Sequence, residues 1–326
     1  MTSLARRQFL QLASGAVMLP ATAGFARAQA YPSRPLHLVV GFGAGTGLDL
    51  YARLIGQWLS ERLGQPVVIE NRPGAGTNLA TEAVVNAAPD GYTLLMASTA
   101  AFTNATLYDN LRFNFIRDIA PVASLSRGAF VMVVNPTFQA GTVPEFIAHA
   151  KANPGKINMA SGGIGTANHV AGEMFKAMAG LDMQHVPYRT DGAAVTDLIG
   201  GRVQVYFVAL AGAAELIRTG KVRALAVTTA QRSSAFPDIP TIGESVPGYE
   251  ASLRNGLGAP KGTPADIIAK LNVEVNVGLN DPGIKAKFAD LGSETVPLTP
   301  AQWGQIIVEE TEKWGKVIRG ANIKAQ

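Results

Sequence analysis

Four glycines at every second position, Gly41, Gly43, Gly45 and Gly47, separate an apolar run (Leu36, Leu38, Val39, Val40) from a 3.6-residue apolar period that begins at Leu48. A strand that feeds a helix through so tight a loop leaves backbone N–H groups unpaired, with the positive end of the helix dipole behind them. The chemistry this suits is the holding of an anion by the backbone of Phe42, Gly43, Ala44, Gly45, Thr46 and Gly47. A dinucleotide's pyrophosphate and the carboxylate of a small ligand both fit. Ser161, Gly162, Gly163, Ile164, Gly165 and Thr166 repeat the theme, between the strand-like Ile157–Ala160 and a helical pattern from Ala167 to Ala179. Facing each other across a cleft, the two loops would bring two sets of donors onto one small anion. Charge-assisted hydrogen bonds contribute ~1.5–3 kcal/mol each, and micromolar affinity needs ~8 kcal/mol. Four or five such bonds, less the ordering cost, reach that without a lysine or arginine in the site.

Other residues stand close to these loops in the pattern. Thr46-x-x-Asp49 fits a capping box, so Asp49 either caps the helix or accepts from a hydroxyl, an ammonium or a bridging water of the ligand. His169, in the first turn of the second helix, either points into the cleft or caps. Ser98 and Thr99 close a strand, Tyr188 and Arg189 sit on another strand-end loop, and Arg254 with Asn255 lies on a later extended stretch.

The elements that must position these residues alternate. Strands are expected at 36–41, 66–71 and 92–97, with helices over 48–63 and 78–87. This describes a parallel sheet with its glycine and Ser/Thr loops at the strands' carboxyl ends, where ligands of open α/β sheets sit. A long extended stretch, 120–134, is the crossing into a second lobe. That lobe carries strands at 157–160, 183–186, 203–208 and 222–228 and helices at 167–179, 193–200 and 211–219. The stretch 247–260 returns, and helices near 264–280, 282–291 and 300–319 follow, with Thr299 and Pro300 at the start of the last. The expected fold class is α/β with two lobes, 31–127 plus 251–326 and 128–250, joined by two crossing segments around a cleft.

Composition narrows the function. The chain of 326 residues has no cysteine, which excludes disulfides and thiolate metal sites, and its four histidines (His37, His149, His169, His185) show no metal-binding spacing. No metal and no cofactor are expected. Ala5-Arg6-Arg7-Gln8-Phe9-Leu10, a short apolar core and small residues near Ala28–Tyr31 read as a twin-arginine-type export signal over 1–30, cleaved near that point. Its apolar segment is well short of the ~20 residues a membrane span needs. Three of the chain's 28 basic residues and none of its 24 acidic ones lie in this signal, so the remainder is near neutral and gives no reason to invoke nucleic acid.

An exported dinucleotide-dependent oxidoreductase is the enzyme alternative. Glu70 ends the second strand about where a ribose-binding acid belongs. Strict G-x-G-x-x-G fails, however, because Gly41-x-Gly43 leads to Thr46 and Gly43-x-Gly45 leads to Leu48. No cysteine, His/Asp pair or lysine constellation offers the chemistry, and Glu70-Asn71-Arg72-Pro73 reads better as a turn with a solvated ion pair. No enzymatic activity is expected.

Tyr31-Pro32-Ser33-Arg34-Pro35, the glycine loop ending in Asp49, and Gly64-Gln65-Pro66-Val67-Val68-Ile69-Glu70-Asn71-Arg72-Pro73-Gly74-Ala75-Gly76 resemble the Bug-type solute-binding proteins, the periplasmic receptors of tripartite tricarboxylate transporters. The resemblance runs on through Ala88–Leu95, Pro154-Gly155-Lys156, His185-Val186-Pro187-Tyr188, Asp197–Gly201, Lys221–Thr228, Pro237–Thr241 and Pro247–Glu250. It implies a type II periplasmic-binding fold closing on a small carboxylate, including a dicarboxylate or aromatic carboxylate, with ligand held by residues 43–49 and 161–166. It further implies a monomer serving membrane permease subunits, with ligand sensing for a signalling partner as the alternative, and neither catalysis nor cofactor. The chain departs from the family where Gly41, Gly43 and Ala44 replace prolines and Leu48 replaces a threonine, which implies a less rigid loop. It departs again at Phe207-Val208-Ala209, where a carboxylate is usual beside the site residue Phe207, and at Arg254-Asn255, where an aromatic pair is usual. Arg254 is expected to meet a second anionic or polar end of the ligand.

Overall fold

The computed structural model describes residues 31–233 and 235–325; the expected export signal lies outside them. No described helix is long and apolar enough to cross a membrane. Strand β1 (Leu36–Val40) is buried along nearly its whole length, the pattern of a strand covered on both faces. It pairs in parallel with β2 (Val67–Asn71) on one side and β3 (Thr93–Ser98) on the other. Helix α1 (Gly47–Leu63) connects β1 to β2, with Tyr51, Ala52, Ile55 and Leu59 buried and Gly64 closing it in the left-handed conformation. Helix α2 (Asn78–Val85) precedes β3, and α3 (Thr99–Leu107) follows it without a loop.

Beyond a short helix, α4 (Phe115–Asp118), comes β4 (Ile119–Val134), whose 16 residues are about three times a usual strand. Its partners change along its length. Residues 119–129 pair with β9 (Ser252–Pro260), which itself pairs with β3, whereas 130–134 pair with β7 (Val205–Ala209) and β8 (Arg223–Val227). We take this change of partner as the division into two lobes. In lobe 2, β5 (Ile157–Ser161) lies between β7 and β6 (Met183–Pro187), both parallel to it. Its helices are α5 (Val143–Ala152), α6 (Ala167–Ala179), α7 (Asp191–Ile199) and α8 (Leu210–Arg218). Helices α9 (Ala265–Asn280), α10 (Pro282–Asp290) and α11 (Pro300–Gly320) and the short β10 (Ser293–Thr295) return to lobe 1. The strand path is β2-β1-β3-β9-β4-β7-β5-β6, with β8 and β10 also on β4.

The sequence pattern announces most of these elements to within a residue or two; helices α3, α4 and α5 and strand β10 are not expected from it, and β9 begins five residues later than the expected return stretch. Helix α3 buries Thr99, Ala101, Phe102, Thr103, Asn104 and Leu107, so it lacks the polar face that would give it a period. Its Thr and Asn content argues weakly against a helix, and packing overrides that preference. Helix α5 does carry a start signal, Thr142 accepting from the Glu145 N–H.

One apolar cluster runs through both lobes, from Phe102, Leu107 and Trp303 to Val170 and Phe175. Helix α11 packs on α3 of lobe 1 and on α6 of lobe 2. Leu107 packs on Gly165: a Cβ on Gly165 would lie 2.1 Å from the Leu107 Cδ2, and Gly165 has a φ of 75°. Gly165→Ala is therefore expected to cost about 1–2 kcal/mol for the left-handed backbone, plus a clash that forces the lobes apart. In a double-mutant cycle with Leu107→Ala, read by urea unfolding, the two changes should be non-additive by ~0.5–3 kcal/mol, the smaller side chain relieving the clash.

Candidate functional site

The two glycine loops share one construction. In each, a threonine Oγ1 donates back to the carbonyl of the glycine three residues earlier, Thr46 to Gly43 (2.8 Å) and Thr166 to Gly163 (2.7 Å). In each, the glycine before the threonine adopts positive φ, 81° at Gly45 and 75° at Gly165. Its N–H is then taken by the side chain four residues on: Gly45 donates to Asp49 Oδ2 (2.8 Å) and Gly165 to His169 Nδ1 (3.0 Å). Helices α1 and α6 begin immediately after these threonines. The N–H groups of Gly43, Ala44, Gly47 and Leu48 in the first loop, and of Ile164, Ala167 and Asn168 in the second, find no acceptor among the described residues. Both loops sit at the carboxyl ends of parallel strands, and Leu107 of lobe 1 abuts the second loop at Gly165. Each loop can hold an anion with neutral donors and a helix dipole.

Asp49 is 1% exposed, and its carboxylate is engaged within the loop. Besides the Gly45 N–H it accepts from Arg53 Nε (2.8 Å) and Asn71 Nδ2 (2.9 Å), and Asn71 Nδ2 also reaches the Phe42 carbonyl (3.0 Å). Burial alone would raise its pKa; the hydrogen bonds from Arg53, Gly45 and Asn71 outweigh that and hold it at about 2. The expected capping box is absent, since Thr46 makes no side-chain cap. His169 is 4% exposed and stacks on His185, ring centroids 3.6 Å apart, with its Nε2 3.8 Å from Glu173 Oε1. Burial, with His185 and Lys176 nearby, lowers His169 to about 3, and burial with Lys176 lowers His185 to about 4. Both rings are therefore neutral at neutral pH, as His169 must be to accept from Gly165. His185 Nε2 lies 2.6 Å from Ser161 Oγ, and that hydroxyl accepts from the Gly163 N–H (3.1 Å).

The remaining candidates divide in the same way. Phe42, Ala44, Gly45, Thr46 and Gly47 are exposed, and Gly43, Ser98, Gly162, Gly163 and Thr166 are half-buried around the cleft. Thr99 is buried, and its Oγ1 accepts from the Arg254 N–H (2.9 Å), tying β3's end to β9. Ser161 is wholly buried behind its loop. Phe207 is buried with its ring on Phe175, so it belongs to the lobe 2 core and not to the cleft wall. Arg254 Nε pairs with the buried Glu310 (3.4 Å), which ties the guanidinium to the last helix. Tyr188 sends its hydroxyl to Asp197 (2.8 Å), whereas Arg189 is exposed and makes no ion pair among the described residues. Glu70 is occupied by Arg72 (2.9 Å) and His37, the ion-paired turn expected, leaving no ribose acid.

Sequence reasoning misses the residues that fasten the loops. Asn71 is legible only as the end of a strand, and Asn168, which accepts from Gly162 N–H beside Thr166 Oγ1, looks like any first-turn residue. Beside the first loop, Ala75 and Thr77 adopt positive φ (46° and 83°), a costly conformation for residues with a Cβ that clusters at binding sites. Asn104 holds this stretch by donating to the Gly76 carbonyl (2.6 Å) and Asn78 Oδ1 (2.8 Å).

Asp49→Ala is expected to destabilise the protein by about 1–3 kcal/mol in urea unfolding, because it removes the acceptor shared by the Gly45 N–H, Arg53 and Asn71. The pH signs follow from depressed native pKa values. Unfolded histidine takes its proton near 6.5, so stability should fall below that pH towards the native values of about 4 and 3, by at most about 1.4 kcal/mol per pH unit for each imidazole. Asp49 adds a further loss between about 4 and its native value of about 2. His169→Asn keeps an acceptor near the Nδ1 position and cannot titrate; urea unfolding from pH 7 to 4 should show a shallower decline in that variant.

Comparison with known proteins agrees with this geometry. Residues 51–323 match the model of the tripartite tricarboxylate transporter family receptor. The chain is 36% identical over 312 residues to protein BugT of Bordetella pertussis, covering 93% of this chain and 96% of that one. Among solved structures, the periplasmic binding protein BugD superposes with a TM-score of 0.76 at 31% identity, covering 91% of this chain and 100% of that one. An R. palustris protein solved with adipate superposes with a TM-score of 0.79 at 33% identity, covering 90% and 99%. The fold is that of the periplasmic binding proteins, and the chain belongs to the tripartite tricarboxylate transporter receptor family, a family of solute-binding receptors and not of enzymes.

Proposed function

We propose that this protein captures a small organic carboxylate between Gly43–Gly47 and Gly162–Thr166 and closes its lobes over it. It then presents the ligand to the membrane permease subunits of a tripartite transporter. The observation that carries the reading is the pair of loops with unpartnered N–H donors, each locked from behind by a buried side chain. Adipate in a solved relative is a ligand of the same chemistry. Bound from both sides, the anion stabilises the closed arrangement over the open one, so capture is a population shift driven by differential contact. Each chain carries both halves of the site, so the receptor acts as a monomer. The arginine pair at Arg6 and Arg7 and the small residues before Tyr31 supply the export that a periplasmic receptor needs.

A thermal-shift screen of the chain from Tyr31 onward against succinate, adipate, malate, aspartate, benzoate and NAD tests the reading. At ~1,000-fold excess over Kd, a true ligand should stabilise by ~4 kcal/mol. At least one carboxylate is expected to respond and NAD not to. Inert carboxylates with a response to NAD would overturn the reading.

A further inference from the structure

Asp191, the first residue of α7, is placed against the second loop by a chain of directed hydrogen bonds. Gly162 N–H donates to Asn168 Oδ1 (3.2 Å), which also lies 2.6 Å from Thr166 Oγ1. Asn168 Nδ2 donates to the Tyr206 hydroxyl (3.0 Å), and that hydroxyl donates to Asp191 Oδ1. The Gly162 N–H can only donate and the carboxylate only accept, which fixes the direction of the chain, and Tyr206 is wholly buried and Asn168 nearly so. The carboxylate lies so close to the loop that a Cβ on Gly162 would come within 2.7 Å of its Oδ1; only glycine admits it there. Asp191 is nonetheless exposed, and its Oδ2 has no partner among the described residues. The neighbouring cations do not neutralise it, because Arg202 is paired with Asp197 and Arg189 makes no ion pair with it.

A fixed, uncompensated carboxylate beside a loop that receives a carboxylate repels a ligand that is only an anion. It attracts one that carries a hydrogen-bond donor near its carboxylate. We infer that Asp191 Oδ2 is a specificity-determining acceptor, selecting carboxylates that bear an ammonium or hydroxyl group over plain carboxylates of the same length. This rests on the carboxylate-receptor reading above and adds the ligand class to it.

Calorimetric titration of the exported chain with the matched set succinate, malate and aspartate tests the inference. The protein should bind malate or aspartate about tenfold to a hundredfold more tightly than succinate, the range of one hydrogen bond to a charged group. Asp191→Ala should remove that preference and tighten succinate. Asp191→Asn keeps the Tyr206 contact through its single oxygen and puts an amide NH2 donor where Oδ2 stood: an ammonium ligand should lose its preference, whereas a hydroxyl ligand, which can accept as well as donate, should retain part of it. Unfolding midpoints of both variants identify any loss of binding that is only loss of fold, and Asp191→Asn is the variant that preserves the local contacts. Succinate binding as tightly as malate and aspartate, or a preference unchanged in Asp191→Ala, overturns the inference while leaving the receptor reading intact. No binding by any carboxylate overturns both.

Discussion

The site depends on one repeated interaction, a buried side chain taking the N–H of the glycine four residues before it. Asp49 does this for Gly45 and His169 for Gly165. Without it, the glycine loops would have many conformations and their free donors no common direction. With it, the N–H of the positive-φ glycine in each loop is spent internally, which helps to hold the neighbouring donors in place. The glycines that replace prolines in the first loop are compensated by this bond and by Asn71, which also holds the Phe42 carbonyl. Rigidity there comes from hydrogen bonds that converge on Asp49, where the resemblance alone implies a looser loop.

The two loops reach the same geometry with different chemistry. The first uses an ionised carboxylate tied to Arg53; the second uses a neutral imidazole, kept neutral by burial against His185. Neither adds an uncompensated charge to the cleft. An anion therefore meets dipoles and N–H groups before it meets side-chain charge, apart from Asp191 and Arg189 at the rim of lobe 2. Moderate affinity suits a receptor that must release its ligand, since each backbone donor contributes modestly and closure supplies the rest. The long strand β4 pairs with strands of both lobes, so one backbone joins the sheets that carry the two loops.

Most of the architecture is legible in the sequence because its strands are buried on both faces and its helices carry an apolar period. The strand–loop–helix junctions at Gly41–Leu48 and Ser161–Ala167 are visible for the same reason. Their detailed roles are not. Asp49 and His169 look like residues that could meet a ligand, because sequence shows that they are near the loop but not which way they face. Thr99, Ser161 and Phe207 share that fate: each is adjacent to the cleft in sequence and turned into the core or the crossing in space. Arg254 lies on the expected crossing, but its partner Glu310 is on the last helix, a pairing that no local pattern reveals. Asp191 reads as an ordinary helix-start acid until Tyr206 and Gly162 are brought beside it.

The most direct test of the two-loop clamp is amide NMR of the 15N-labelled exported chain, with and without saturating adipate or malate. The amides of Ala44 and Gly47 in the first loop and of Ile164 and Ala167 in the second should shift downfield together and exchange more slowly when ligand is bound. Those of Gly45 and Gly165, already bonded to Asp49 and His169, should be protected in the free protein and change least. Ligand-induced shifts confined to one loop, or largest at Gly45 and Gly165, would contradict the account.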